Sequence, residues 1–212
     1  MNESLVSVPH EIERRSFEII TEELGDVALD PSVEHIVKRV IHTTADFSYA
    51  ESLAFVNDAV EKGVEALKQG ATIVTDTTMA LAGISKPALK ILNSEAVCFI
   101  ADEDVAKTAK EQGTTRAVAS MEKATSIEGP VIFAIGNAPT ALIRIGELHA
   151  AGKINPALVI GAPVGFVNVV ESKEMLLKSG IPAIVARGRK GGSNVAAAIC
   201  NALLYSLTRK EQ

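Results

Sequence analysis

Ala71-Thr72-Ile73-Val74-Thr75-Asp76-Thr77-Thr78-Met79 is where the chain changes its grammar. Here a β-branched run ends in polar residues, and from this point short apolar runs alternate with amphipathic stretches. That alternation predicts a parallel sheet with helices on both faces. Five strands are expected, at 72–75, 96–100, 131–135, 157–161 and 183–186. The helices between and after them are read at 87–93, 102–112 with 115–126, 140–151, 168–179 and 193–207.

Upstream the spacing is helical. Pro9 suits a first turn, and Ile12, Phe17, Ile19, Ile20 and Leu24 recur until Gly25, giving a helix over 9–24. Asp30-Pro31 reads as an N-cap followed by proline at N1, and Val33, Ile36, Val37, Val40 and Ile41 form the stripe of a second helix that delivers His42 at its end. Residues 53–67 read as a third helix, stopped at Gln69-Gly70, so no strand is expected before Ala71. The whole chain, 1–212, reads as a single domain with a helical N-terminal part (1–70) and a βα body (71–212). The N-terminal helices are expected to pack on that body or to extend to a partner subunit.

A chain of 212 residues buries enough of its surface to need no covalent staple. The net charge of -5 argues against nucleic acid or an anionic membrane as partner. Cys98 and Cys200 lie in apolar runs without CxxC spacing and read as buried free thiols in a reducing compartment. Glu3, Glu11, Glu13, Glu18 and Pro9 occupy the N-terminal stretch, so no signal peptide is expected there, and no apolar run is long enough to span a bilayer. A cytoplasmic protein is the expectation.

Open α/β sheets bind ligands at the carboxyl ends of their strands. There this sequence places Asp76-Thr77-Thr78-Met79, Gly136-Asn137-Ala138-Pro139-Thr140, Gly161-Ala162-Pro163-Val164-Gly165-Phe166 and Arg187-Gly188-Arg189-Lys190-Gly191-Gly192-Ser193. Glycines let backbone N–H groups approach a ligand, helix N-termini favour anions, and the last loop adds three cations in an acidic protein. A ligand carrying several carboxylates or phosphates is implied. No loop has GxxxxGK[ST] or GxGxxG spacing, which sets nucleotide aside. Singly, each loop also reads as a tight βα turn, the last as a solvated basic turn capped by Ser193; their joint placement at one edge favours binding.

A second cluster, Arg39-Val40-Ile41-His42-Thr43-Thr44-Ala45-Asp46-Phe47-Ser48-Tyr49, follows the second helix. Aromatics make up only 4% of the chain, so Phe47 and Tyr49 beside His-Thr-Thr point to a surface for a flat apolar ligand with polar edges. The same residues also fit a helix C-terminus with His42 facing the macrodipole. His10, His35 and His149 form no metal-ligand pattern with it, so no metal site is expected. Ser48 and Ser193 lack a nucleophile-elbow context. His42 is the best candidate for general acid work near neutral pH.

Ser7-Val8-Pro9-His10-Glu11-Ile12-Glu13-Arg14-Arg15-Ser16-Phe17, Ile41-His42-Thr43-Thr44-Ala45-Asp46-Phe47, Thr75-Asp76-Thr77-Thr78-Met79 with Gly83-Ile84, and the three later loops closely resemble the precorrin-8X methylmutase (cobalt-precorrin-8 methylmutase) family, nearly end to end and in order. The resemblance implies a flavodoxin-like three-layer α/β/α fold with a five-stranded parallel sheet and an additional N-terminal helical region. It implies a homodimer with shared active sites and a tetrapyrrole isomerase working without redox or nucleotide cofactor in corrin (vitamin B12) biosynthesis. The family reaction moves a methyl group on ring C of precorrin-8X or its cobalt complex to the adjacent ring carbon, giving hydrogenobyrinic or cobyrinic acid. The catalytic histidine falls on His42. The expected substrate-binding set is Arg14, Arg15, Thr43, Thr44, Phe47, Thr77, Thr78, Met79, Arg116, Asn137, Ala138, Thr140, Gly161, Phe166, Arg187, Gly188, Arg189, Gly191, Gly192 and Ser193. The arginines are the carboxylate partners in that set. A non-catalytic tetrapyrrole carrier and a sugar-phosphate or nucleotide-dependent enzyme are the competing readings, and the sequence leaves open whether the substrate already carries cobalt.

Overall fold

A computed structural model describes residues 8–209; Glu3 and Ser7, used above, lie outside them. The chain runs α1 (Pro9–Leu24), α2 (Glu34–Thr44), α3 (Tyr49–Ser52), β1 (Leu53–Val56), α4 (Ala59–Lys68), β2 (Thr72–Thr75), α5 (Thr78–Gly83), α6 (Lys86–Ile91) and β3 (Glu95–Val97). It continues through α7 (Glu103–Glu111), α8 (Arg116–Lys123) with a 3-10 turn at Ala124–Ser126, β4 (Val131–Ile135), α9 (Pro139–Ala150), β5 (Leu158–Gly161), α10 (Val169–Leu177), β6 (Ala183–Ala186) and α11 (Ser193–Thr208).

The strands form one sheet in the order β1-β6-β5-β4-β2-β3. Five are mutually parallel, while β1 joins antiparallel to β6 with Leu53 opposite Ala186. The expected five-stranded parallel sheet is therefore corrected to a six-stranded mixed one, and the expected helix over 53–67 to β1 plus α4. The physical reason lies at Asn57 and Asp58, both with φ of 58°, which break the chain direction between an apolar run and the helix after it. Leu53-Ala54-Phe55-Val56 is short enough to fit either reading, and its place beside β6 decides it.

Two smaller corrections have local causes. The second helix starts at Glu34 rather than at Pro31, because the Asp30 carboxylate accepts from the backbone and hydroxyl of Ser32 and closes an Asx turn first. The segment after β2, read as loop, becomes α5, with the Thr77 hydroxyl accepting from the Ala80 N–H as its cap.

Side chains alternate across the sheet, and each face has its own core. Ile73, Ile132, Leu158, Ile160 and Ile184 point to the face covered by α2, α4, α6 and α11. Val74, Phe133, Ile135, Val159 and Val185 point to the face covered by α8, α9 and α10. The N-terminal helices do pack on the body: Ile36, Val37, Val40 and Ile41 bury one stripe of α2 in the first core, and α1 adds Ile20 and Leu24 outside it. Truncating Ile41 to alanine would cost about 2–5 kcal/mol, as for other large core side chains.

From β2 the chain goes outward to β3 and returns to β4 on the other side of β2, so the strand order reverses between β2 and β4. The crevice beyond the carboxyl ends of those two strands is where such a sheet offers a ligand site.

Candidate active site

Asp76 sits at that reversal and is 2% exposed. Its carboxylate accepts from the N–H groups of Gly136, Asn137 and Ala138 at 2.9, 2.8 and 2.7 Å. The amides opening α9, which in a nucleotide-binding sheet would take a phosphate, are bonded to the protein's own anion. Burial pushes the Asp76 pKa above its ordinary value, against the pull of these bonds. This geometry speaks against the nucleotide-dependent reading more directly than the missing glycine spacing does.

The neighbouring loops lock onto one another through backbone. A Cβ on Gly136 would stand 2.6 Å from the Cα of Ser193, and one on Gly191 would stand 2.2 Å from the carbonyl oxygen of Ala162. The Gly192 N–H donates to that same carbonyl at 2.8 Å, and the Gly165 N–H to Arg189 O at 3.2 Å. The hydroxyls of Thr77 and Ser193 lie 2.7 Å apart. Ser193 is thus the first residue of α11 and a tie to the β2 loop, not the side-chain cap that the solvated-turn alternative gave it. Four loops form one platform, so the strand-six segment is not a free solvated turn.

Lys173, which sequence reading missed, braces the platform from below. It is fully buried on α10, and its ammonium donates to the carbonyls of Gly188 and Lys190, each at 2.8 Å. Burial lowers its pKa to about 8. A readable signal existed: Val169, Ser172, Lys173 and Leu176 fall on one buried helical stripe, an unusual place for a lysine.

Because β1 runs antiparallel to β6, its start lies at the carboxyl end of β6 and carries α3 and the residues before it to the same edge. The Lys190 ammonium reaches the Asp46 carboxylate at 2.7 Å and the Ser48 hydroxyl at 3.0 Å. Lys190's hydrogen bond, with help from Ser48, holds the Asp46 pKa at about 2. One turn earlier, His42 is exposed and its ring lies on Phe17 of α1, centroids 5.3 Å apart and planes 15° from parallel. Arg39 stacks its guanidinium 4.7 Å from the centre of the same Phe17 ring and is bonded to Glu13. Partial burial, then the charge of Arg39, lowers the His42 pKa below 6.5, with Glu13 pulling the other way.

The other expected site residues divide by place. Thr43 and Thr44 turn their hydroxyls back to the carbonyls of Arg39 and Val40, and Phe47 packs half-buried on the first core. Thr78 and Met79 are exposed on α5, and Asn137 on the β4 loop, with Ala138 and Thr140 partly covered beside it. Thr115 and Thr140 meet at 3.3 Å, which brings the start of α8, and with it Arg116, to the same rim. Phe166 is 80% exposed, with the Arg189 guanidinium 5.4 Å from its ring centre. Gly188 takes a φ of 76° between the two arginines.

Three arginines are already committed and one glycine is covered. Arg187 makes a two-pronged pair with Glu174 at 2.9 and 3.1 Å, Arg14 pairs with Glu18, and Arg15 with Glu18 and Glu22. Gly161 is buried, and a Cβ there would stand 2.8 Å from a terminal methyl of Leu176, so it packs against the core rather than facing the rim. A groove of about 530 Å³ lies among α1, α2 and α11, lined by Phe17, His35, Arg39 and Tyr205 behind the histidine stack. Among the described residues no helix is long and apolar enough to cross a membrane. Cys98 and Cys200 are free; burial pushes the Cys200 thiol up to about 12, whereas Cys98, expected to be buried, is only partly covered.

Residues 11–206 match the family model for precorrin-8X methylmutase. The chain is 47% identical to the cobalt-precorrin-8 methylmutase of Salmonella typhimurium over 95% of its own length and 97% of that protein's. It is 40% identical to the precorrin-8X methylmutase of Pseudomonas aeruginosa, covering 91% of this chain and 93% of that one. The crystal structure of precorrin-8x methyl mutase from Thermus thermophilus superposes with a TM-score of 0.85 at 39% identity, covering 92% and 94% of the two chains.

Proposed function

The chain belongs to the precorrin-8X methylmutase family, and from that premise we propose how its rim performs the family's methyl shift. It is an isomerase of corrin biosynthesis. In the reaction proposed, the bond from the migrating methyl to the α carbon of ring C breaks as a bond to the adjacent β carbon forms on the same face. The electron pair stays within the conjugated macrocycle, so no outside oxidant or nucleophile is required.

What such a shift needs is a held macrocycle and a proton or hydrogen bond on a ring nitrogen. His42 supplies the donor: the observation that carries this reading is its exposed imidazole, stacked on Phe17 and set on the rim that Asp46 and Lys190 tie to the strand-six loop. In the free protein its lowered pKa leaves a minority of the imidazole protonated at neutral pH. Acetate and propionate arms of a bound substrate would raise that pKa again, since nearby negative charge favours imidazolium. Arg189 and Arg116 have no ion-pair partner among the described residues and are the arginines best placed to take those arms. Phe166 and Met79 offer the ring an apolar surface.

The finer expectations belong to the same reading. The flavodoxin-like description of the five parallel strands is supported by their order, and treatment of 1–212 as one domain by the two cores sharing one sheet. A homodimer with shared sites is supported by exposed apolar residues at the rim and on α1, among them Val167 and Ile12. A cytoplasmic location is supported by the free thiols.

His42→Ala is the test. Removing a placed general acid should lower turnover by about 10²–10⁴-fold while the protein still binds hydrogenobyrinic acid tightly. A folded His42→Ala protein that converts substrate at the normal rate ends the proposal. A wild-type protein that binds substrate without changing its absorption spectrum would instead be a carrier.

A further inference from the structure

Lys173 stands apart from the reaction yet directly under the loop that meets the ligand. It lies on the buried stripe of α10, and among the described residues no carboxylate pairs with it. Of the charged side chains of the loop it bonds, Arg187 is engaged with Glu174 and Lys190 with Asp46. The ammonium spends two of its three N–H bonds on the carbonyls of Gly188 and Lys190, the residues flanking Arg189. A buried ammonium is costly without such partners, and a leucine or methionine would fill the stripe at no such cost. A fold that keeps lysine there gains loop geometry rather than packing.

The geometry explains what the clamp achieves. Drawing the carbonyls at 188 and 190 inward fixes the 188–189 and 190–191 peptide planes, and the Gly165 N–H holds the plane between them through the Arg189 carbonyl. The backbone is thus pinned on both sides of Arg189, whose guanidinium stands over the exposed Phe166 ring. The far side of the same loop is pinned by Gly192 N–H on Ala162 O and by Gly191, which tolerates no side chain against that carbonyl. From this arrangement we infer that Lys173 is a positioning residue for ligand binding, holding the 187–193 loop so that Arg189 is presented to a carboxylate of the tetrapyrrole. The inference rests on the reading of that loop as a carboxylate-binding rim.

The consequence is a separation of binding from turnover. Lys173→Met keeps the volume and removes the donors; its affinity for hydrogenobyrinic acid should fall at least about tenfold, while kcat at saturating substrate stays within about threefold, because peripheral carboxylates do not change charge in the reaction. Lys173→Gln retains two N–H donors and should bind more tightly than Lys173→Met. Thermal unfolding of both variants is followed alongside. Should Lys173→Met not fold, Lys173→Gln alone decides, with weakened affinity at preserved kcat expected. Unchanged affinity in the measured variants overturns the inference. So does a parallel loss of affinity, kcat and thermal stability, which marks a merely structural lysine. Arg189→Ala separates the two levels: if it weakens binding and Lys173→Met does not, only the positioning role fails; if neither matters, the loop does not bind the ligand.

Discussion

The Asp46 carboxylate and the Lys190 ammonium meet at 2.7 Å across 144 positions of sequence, joining the turn after the histidine helix to the loop after the last strand. The pair is substantially exposed, so its contribution to stability is about 1 kcal/mol or less. Its value is alignment. Asp46→Asn should shift the unfolding midpoint by no more than about 2–4 °C, while turnover falls by more than that shift explains. Because Lys190 holds the Asp46 pKa at about 2, below its ordinary 3.8, the stabilising contribution is complete above pH 3.8 and is lost as pH falls toward 2. Wild-type kcat and KM in Asp46→Asn would show that the two segments align without the pair.

The two strand-six arginines are not equivalent, although the sequence presents them alike. Arg187 is held in a two-pronged pair by Glu174, whereas Arg189 faces the Phe166 ring and has no carboxylate partner among the described residues. A charge-assisted bond to a ligand carboxylate is worth about 1.5–3 kcal/mol, so Arg189→Ala should weaken product binding about 10–150-fold. Arg187→Ala should weaken it less and should release Glu174. Titrating hydrogenobyrinic acid into both variants gives the order; the reverse order rules out this assignment.

Asp76 accepts three backbone bonds, and an amide in its place would turn one N–H donor toward N–H donors. Leaving buried amides unsatisfied costs about 1–3 kcal/mol, so Asp76→Asn should lower stability by that amount and speed hydrogen exchange at 136–138. Protection unchanged at those three amides would mean that the loop is held by its neighbours alone.

Where both faces of a strand are covered, the sequence is nearly all apolar or β-branched, and 72–75, 131–135 and 183–186 were legible for that reason. β1 was not, because an edge strand of four residues running into Asn57 and Asp58 carries no period long enough to separate it from a helix. Since β1 is what carries the His42 segment to the sheet edge, the sequence showed two clusters without the element that unites them. His42 and the glycine-rich loops stood out by residue type, as chemistry-bearing residues in small-residue surroundings. Asp76 and Lys173 did not, because their partners are backbone amides and carbonyls, which leave no spacing to read. The pairing of Arg187 with Glu174 crosses from the loop after β6 to α10 and is equally invisible along the chain.

The last prediction uses the charges around the histidine. Arg39 lies against the same Phe17 ring as His42 and is bonded to Glu13, which also receives Arg209. Burial lowers the His42 pKa most, Arg39 lowers it further and Glu13 raises it. If imidazolium is the proton donor, kcat/KM falls as pH rises through that lowered value, since the pH dependence of kcat/KM reports the free enzyme. Arg39→Gln removes a positive charge and should move the descending limb to higher pH. Glu13→Gln leaves Arg39 uncompensated and should move it to lower pH. Opposite displacements are the signature of electrostatic tuning, whereas loosened packing of α1 on α2 would lower activity in both variants at every pH. Profiles measured from about pH 5 to 9, with unfolding midpoints as control, decide the matter. Limbs that move together, or not at all, leave Arg39 and Glu13 with a packing role; a rate that rises with pH through this range would make His42 a base and overturn its assignment as the acid.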